Sequence, residues 1–224
     1  MTKFIRVLLI DDHPIIIDAY KNSLEQINAL NSDLKFIVDS ATCGDSALSK
    51  YELSLKNKPY DLIFVDINLP SNISKITSGE VLASIFKNLR HNVKIVIITG
   101  HYNALKFYNI LQNINPDGLL YKSDIGIKAI TKVVEDVINN VPYYSTSILQ
   151  LLRKNISSKT TLNNIDKLLL YALNNGSKMK ELKELLPLSQ GGIEKRKRIL
   201  KEVFKTQKQD DKALLKAAEE NGFL

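Results

Sequence analysis

Apolar residues along this chain follow two rhythms. From residue 1 to about 139, short unbroken apolar runs alternate with longer segments in which apolar positions recur every three or four residues. The runs are FIRVLLI (4–10), KFIVDSA (35–41), LIFVD (62–66), KIVIIT (94–99) and GLLYK (118–122). Their length and β-branched content predict strands, and their continuity predicts strands covered on both faces, as in a parallel sheet. The segments between and after them, roughly 14–29, 44–56, 78–91, 103–114 and 125–139, carry helical spacing. In the first of these, Ile16, Ala19, Tyr20, Leu24 and Ile27 share one face. Five β–α pairs in series predict an α/β fold: a five-stranded, parallel, doubly wound sheet of the flavodoxin-like kind, with right-handed crossovers.

After residue 139 the strand signal stops. VPYYSTSILQLLRK predicts a loop followed by a short helix over about 145–153, and the polar NISSKTTLNN reads as a linker. Four short helices are predicted beyond it: 163–174, ending near Gly176; 178–186, stopped by Pro187; 189–204, capped by Ser189; and 210–221. The expected organisation is therefore a domain over 1–140, a helical linker over 141–160 and a small all-α domain over 161–224.

Charge separates the two parts further. The net charge is +7, yet residues 1–139 hold 15 basic and 15 acidic residues, so the whole excess lies in the last third. A neutral first module and a basic second one imply that the second meets a polyanion. Composition is otherwise that of a globular protein, 44% hydrophobic and 25% charged, and no apolar run reaches the roughly 18 residues of a membrane span. The start, MTKFIRVLLIDDHP, runs straight into two acids with no small-residue cleavage site, so it reads as a strand. Cys43, the only cysteine, excludes an internal disulfide, and the expected compartment is the cytoplasm.

One question remains from the pattern: LIFVD is apolar for four residues and then ends on a carboxylate, Asp66. In an open parallel sheet, ligands bind beyond the carboxyl ends of the strands. There the first strand ends in Asp11–Asp12, the third in Asp66, the fourth in Thr99 and the fifth in Lys122. Any one of these alone is ordinarily a local cap, but five converging groups are a site. Clustered carboxylates repel unless a cation joins them, and an oxygen-only, wet site suits Mg²⁺. A carboxylate nucleophile beside a metal, an ammonium and a hydroxyl fits phosphoryl transfer to aspartate. His13, between Asp12 and Pro14 at a helix start, reads as local structure.

LLIDDHP, LIFVDINLP, VIITG and GLLYK resemble the signature blocks of bacterial response-regulator receiver domains, and the DDHP start resembles the LuxR/NarL-type branch. The resemblance covers about residues 4–139. It implies that Asp66 is the phosphoacceptor, that Asp11, Asp12 and Asp66 hold Mg²⁺ together with the backbone carbonyl of Asn68, and that Thr99 and Lys122 contact the phosphoryl group. It implies a sensor histidine kinase as donor, and a signalling protein that accepts phosphate rather than an enzyme that turns over. Two positions depart from the family. Its glycine normally follows the proline by about four residues, whereas Gly79 stands nine after Pro70, which places a longer loop over the mouth of the site. Its switch aromatic, normally three before the lysine, is Leu119 here; Tyr121 is one before, and Tyr102 and Tyr108 are the other candidates for that role.

In the basic module, PLSQGGIEKRKRILKEVF carries Lys195, Arg196, Lys197 and Arg198 mid-helix, with Ile193, Leu200, Val203 and Phe204 as the apolar side. A basic run is often only a solvated face. Here it follows a leucine-bearing helix and a short turn, which is helix-turn-helix grammar. The stretch from about 160 to 224 resembles the LuxR-type output domain. It departs at Gly192, where the family usually has Thr, and at Arg196, where it usually has His. Double-stranded DNA is the expected partner, through Ser189, Gln190, Lys195, Arg196, Lys197 and Arg198, with a homodimer on activation and strongly salt-dependent binding. Two other readings compete. One is a receiver whose helical tail binds a protein. The other is an aspartyl-phosphate hydrolase, which Asn68 disfavours because it stands where a general acid would be needed.

Overall fold

A computed structural model describes residues 2–30, 33–70, 76, 78–100, 104–157, 160 and 162–224. Strand and helix alternate as β1 (Lys3–Ile10), α1 (Pro14–Leu30), β2 (Leu34–Ala41), α2 (Gly44–Lys56), β3 (Leu62–Asp66), α3 (Gly79–Leu89), β4 (Lys94–Thr99), α4 (Ala104–Asn113), β5 (Gly118–Tyr121) and α5 (Ile127–Ile138). A 3₁₀ turn, Lys122–Asp124, separates β5 from α5. Then come β6 (Tyr143–Tyr144), α6 (Thr146–Ser157), α7 (Asn164–Asn174), α8 (Met179–Leu185), α9 (Gln190–Val203) and α10 (Asp211–Glu220). By contacts the chain divides into two compact units: the sheet with α1, α2, α3 and α5 belongs to one, and α7 to α10 to the other. No helix among the described residues is long and apolar enough to cross a membrane.

The sheet is parallel throughout, in the order β2-β1-β3-β4-β5-β6. Its period of two sorts side chains to opposite faces. Ile5, Val7, Leu9, Phe64, Val96, Ile98 and Leu120 join one apolar cluster with Ile17, Tyr20 and Leu24 of α1 and Ile130, Val133 and Val137 of α5. Leu8, Ile10, Ile63, Val65, Ile95 and Ile97 alternate with these and are equally buried. α2 and α3 meet through Tyr51 and Phe86, whose rings lie 4.2 Å apart while the Tyr51 hydroxyl donates to the Phe86 carbonyl. All five residues of β3 are buried, which explains its uninterrupted apolar run.

The sixth strand corrects the expectation of five. The segment read as a loop is a two-residue strand, too short to show any alternation. Tyr143 N–H donates to the Asp117 carbonyl and Ser145 N–H to that of Leu119, both at 3.0 Å. Ser145, 1% exposed, also accepts from Tyr121 N–H through its hydroxyl, and Asp124 caps α6 by accepting from the Ser147 amide and hydroxyl. α6 then runs to Ser157, into the segment read as linker.

At the opposite ends of the strands, Asp117 fastens β4 to β5. Its carboxylate accepts from Ile95 N–H and Lys94 Nζ, each at 3.0 Å, and from Lys87 Nζ at 3.4 Å. Burial works against its ionisation, but these donors outweigh burial and hold its pKa below the usual carboxylate value. A depressed folded-state pKa gives stability that is present above the unfolded pKa and is lost as pH falls through the folded one. Asp117→Asn is therefore expected to lower stability by on the order of 1–2 kcal/mol near pH 7. Thermal denaturation across pH should show the gap from wild type beginning to narrow below about pH 4, near the unfolded-state pKa, and closing only once the pH has fallen below the depressed folded-state pKa.

The second unit packs Leu169, Leu170, Leu182, Leu186, Ile193, Leu200, Leu214, Phe223 and Leu224 into its own core. Each helix start is secured locally. Asn163 and Asp166 form a reciprocal capping box on α7, Ser189 Oγ accepts from Gly192 N–H on α9, and Asp210 Oδ1 accepts from Ala213 N–H on α10. α8 and α9 are joined by the short turn from Leu186 to Ser189, so the helix-turn-helix arrangement is present.

Candidate functional site

β1, β3 and β4 end side by side, with Ile10 opposite Val65 and Asp66 opposite Ile98. Register alone thus brings Asp11, Asp66 and Thr99 to one edge of the sheet. Asp11 and Asp66 are each 1% exposed and Thr99 is fully buried. Lys122 arrives where β5 gives way to the 3₁₀ turn. Its Nζ lies 2.7 Å from Asp66 Oδ2 and 3.0 Å from Asp11 Oδ2, bridging two carboxylates 55 positions apart in the chain.

Burial sets the electrostatics. It pushes the Asp66 carboxyl above the ordinary carboxylate range; Lys122 and the Asn68 backbone amide pull it back, and Asp11 adds to the rise. Burial disfavours the Lys122 cation, but its hydrogen bonds to Asp66 and Asp11 prevail and raise its pKa. Asp12 lies nearer the surface, its side chain 31% exposed. His13 does more than shape the turn. Its Nδ1 is 3.1 Å from Asp11 Oδ1 and 2.8 Å from Asp12 Oδ1, and its backbone N–H donates to Asp11. Asp11, Asp12 and His13 present their ligand atoms within 4.8 Å of one another. The buried Asp66 Oδ1 accepts no hydrogen bond among the described residues, a lone-pair site left for a cation.

The expected carbonyl of Asn68 belongs to a short bridge: Asn68 pairs with Ser78 in antiparallel fashion, and Gly79 N–H donates to the Ile67 carbonyl at 2.9 Å. The chain therefore leaves after Pro70 and returns at Ser78, so that Gly79 lies against the backbone of Asp66. The loop expectation itself falls mainly on 71–75 and 77, outside the described residues, as does Tyr102. Leu119, in the switch position, is fully buried; Tyr121 is half-buried beside Thr99, and Tyr108 is 41% exposed.

On α9 the basic run winds round the helix instead of forming one face. Lys195 and Arg198 are exposed, as are Ser189 and Gln190. Arg196 turns to the core side, its Nε 2.6 Å from Asp166 Oδ1 in a close ion pair that lacks hydrogen-bond alignment. Lys197 reaches Asp211 at 2.7 Å, and Lys201 reaches the same carboxylate at 2.9 Å. Ser189 Oγ is engaged in its own helix cap. The sequence could have shown this division, because a helical turn of 3.6 residues places 195 and 198 together and sends 196 towards Ile193 and Leu200.

Comparison with known proteins agrees with the geometry. The chain resembles the Fimbriae Z protein of Escherichia coli (strain K12), 24% identical over 191 residues and covering 82% of each chain. It superposes on a structure of the two-component response regulator RcsB in complex with DNA at a TM-score of 0.64, with 19% identity, covering 97% of this chain and 99% of that one. A second RcsB structure, from Salmonella enterica serovar Typhimurium and bound to a promoter, gives a TM-score of 0.63 at 18% identity, covering 96% and 98%. The likeness in fold therefore extends through both units. The family model of the response regulator receiver domain matches residues 7–135, more than half of the 224-residue chain and the whole span that carries Asp11, Asp12, Asp66, Thr99 and Lys122. The chain belongs to the response regulator receiver domain family.

Proposed function

We propose that this protein is a cytoplasmic two-component response regulator in which Asp66 accepts a phosphoryl group from a sensor histidine kinase, and that phosphorylation controls DNA binding by the α7–α10 unit. The observation that carries the reading is the bridge from Lys122 Nζ to both Asp66 and Asp11 at the carboxyl ends of three adjacent strands. Asp66 attacks the phosphorus of a phosphohistidine, the P–N bond breaks, and the imidazole leaves. Lys122, kept cationic by its two carboxylates, stands ready to pair with the transferred group. In this reading Thr99 donates its hydroxyl to the same oxygens. Asp11, Asp12 and Asp66 would hold Mg²⁺ with the Asn68 carbonyl; the orphan Oδ1 of Asp66 and the all-oxygen donor set fit it. When bound, the ion screens charge on the phosphoryl oxygens. Phosphorylation replaces one carboxylate charge with a larger anion, which shifts the population between two states of the receiver.

For DNA, the outward pair Lys195 and Arg198, with Gln190, forms the reading face of α9, while Arg196 and Lys197 hold that helix to α7 and α10. Homodimers formed on activation would match paired half-sites. Lys195→Ala and Arg198→Ala are each expected to weaken DNA retention roughly 3–10-fold near 0.1 M salt and to reduce the salt slope by about 1. Arg196→Ala is expected instead to lower the melting temperature of the domain, because it leaves Asp166 buried without its partner. Gel retardation over a salt series, with and without a small phosphoryl donor, checks both halves. Loss of all retention at low salt in the wild type would turn the reading towards a protein partner.

A further inference from the structure

The sheet ends on one side at β6, two residues long, and on the other at β2, eight residues long. An open edge of that length offers a row of backbone donors and acceptors to another strand. The ladder with β1 decides which residues offer them. Lys3 N–H donates to the Asp33 carbonyl and Asp11 N–H to that of Ala41, so the odd-numbered residues of β2 bond inward and the even-numbered ones face outward. Two of the outward groups are held by side chains. Asn28 Oδ1, on α1, accepts from Phe36 N–H at 2.9 Å, and Lys50 Nζ, on α2, donates to the Ser40 carbonyl at 2.6 Å. Among the described residues, no side chain does the same for Val38, midway between them. The side chains of β2 then divide by face. Phe36 joins the cluster with α1, whereas Lys35, Ile37 and Asp39 lie on the α2 face. Ile37 is 46% exposed, and Lys35 is exposed and makes no ion pair with a described residue. Asp39 takes Arg6 at 3.0 Å and the Tyr60 hydroxyl at 2.7 Å, both on Oδ2, which leaves Oδ1 for a second cation.

We infer that β2 is a docking edge for β2 of a second copy of this chain, paired antiparallel about a two-fold axis at Ile37, with Asn28 and Lys50 as latches that open when the strands join. In this register Ile37 faces its own copy, and Lys35 faces the partner's Asp39 on both sides of the axis, so the surface is self-complementary in charge and shape. Phe36 faces the partner's Val38 and Leu34 the partner's Ser40, which matches outward backbone groups with outward backbone groups. Sliding the strands by one residue destroys that match. Sliding them by two keeps it, but sets Lys35 against the partner's Ile37 or Ala41 and loses both ion pairs. Each copy must release two latches to join, so the unaltered chain associates weakly. The edge uses none of the phosphoacceptor residues and does not depend on phosphorylation.

Sedimentation of the full-length protein, without phosphoryl donor, measures the association. Asn28→Ala combined with Lys50→Ala should tighten it at least about tenfold, because the dimer then forms without breaking four side-chain hydrogen bonds. Ile37→Lys added to that pair places two ammonium groups face to face and should return the protein to monomer at the same concentrations. Ile37 is exposed, so the melting profile should be unchanged by this last step. Register is read separately, with both latches intact, by Ile37→Cys in a Cys43→Ser background. Facing residues of this kind have Cα atoms about 4.5 Å apart, within reach of a disulfide, so mild oxidation should yield a covalent dimer. Lys35→Cys in the same background lies four residues from its own copy, about 13 Å, and should stay uncross-linked. A latch-free variant that associates no more tightly than the wild type would overturn the assignment and leave the edge to a different strand. Equal cross-linking at positions 35 and 37 would overturn it as well.

Discussion

Gly79→Ala should cost at least about 3 kcal/mol and lower the melting temperature by about 10 °C or more. A Cβ at this position would sit 2.0 Å from the Asp66 carbonyl oxygen, 2.8 Å from its carbonyl carbon and 3.0 Å from Ile67 Cα. All three atoms are backbone, so no side chain can swing aside. Relief requires moving the end of β3, which is buried along its whole length, or breaking the bond from Gly79 N–H to Ile67. Against a total stability of 5–15 kcal/mol, that is a large fraction. The reason is space rather than conformational freedom. Gly191→Ala makes the contrast: a Cβ there meets nothing within 4 Å, and in a helix the change should alter stability by less than about 1 kcal/mol. Thermal or urea denaturation of the two variants side by side measures the difference. If Gly79→Ala melts with the wild type, the packing of Gly79 against Asp66 is misassigned.

The second large effect is chemical. Asp66→Asn should reduce phosphoryl uptake from a small donor with Mg²⁺ by at least about 100-fold. The amide has nearly the same shape, but it lacks the negative oxygen that, in the proposed function, attacks phosphorus. It also withdraws one of the two carboxylates that hold Lys122, leaving Asp11 at 3.0 Å as the remaining partner. The fold should survive, because the exchange removes a buried charge whose ionisation is already opposed by burial. Loss of uptake with an unchanged melting profile therefore separates the chemical role of Asp66 from a structural one. Radiolabel incorporation and circular dichroism on the same preparation provide the two readings.

Much of this architecture could be read from the chain because burial leaves a strong pattern. A strand covered on both faces must be apolar at every position, and LIFVD corresponds to β3 residue for residue. Helices α2 and α7 to α10 lie within one residue of their expected ends, since capping residues such as Ser189 and Asp210 mark the starts. Asp11, Asp66, Thr99 and Lys122 could be grouped because strand ends in a parallel sheet share one edge. What remained hidden has physical causes. Two residues of β6 carry no period, and their pairing depends on the distant carbonyls of Asp117 and Leu119. The contact between Gly79 and Asp66 joins residues separated by an excursion of the chain, and a glycine shows nothing of what it touches. His13 beside two aspartates in sequence gives no sign that its ring will turn back onto both. The helical period already divides the four basic residues from 195 to 198 between two faces, but it does not give the partners of the inward pair. Arg196 and Lys197 are drawn to Asp166 and Asp211, residues that adjacency could not reveal.

The central claim is that Asp66 is the phosphoacceptor, and mapping the modified residue tests it most directly. The full-length protein is incubated with a small phosphoryl donor and Mg²⁺, the acyl phosphate is trapped by reduction, and the peptides are sequenced by mass spectrometry. The account predicts a single modification on Asp66, present only with Mg²⁺ and missing from Asp66→Asn. Modification at another residue, or equal labelling of the Asp66→Asn protein, would contradict it.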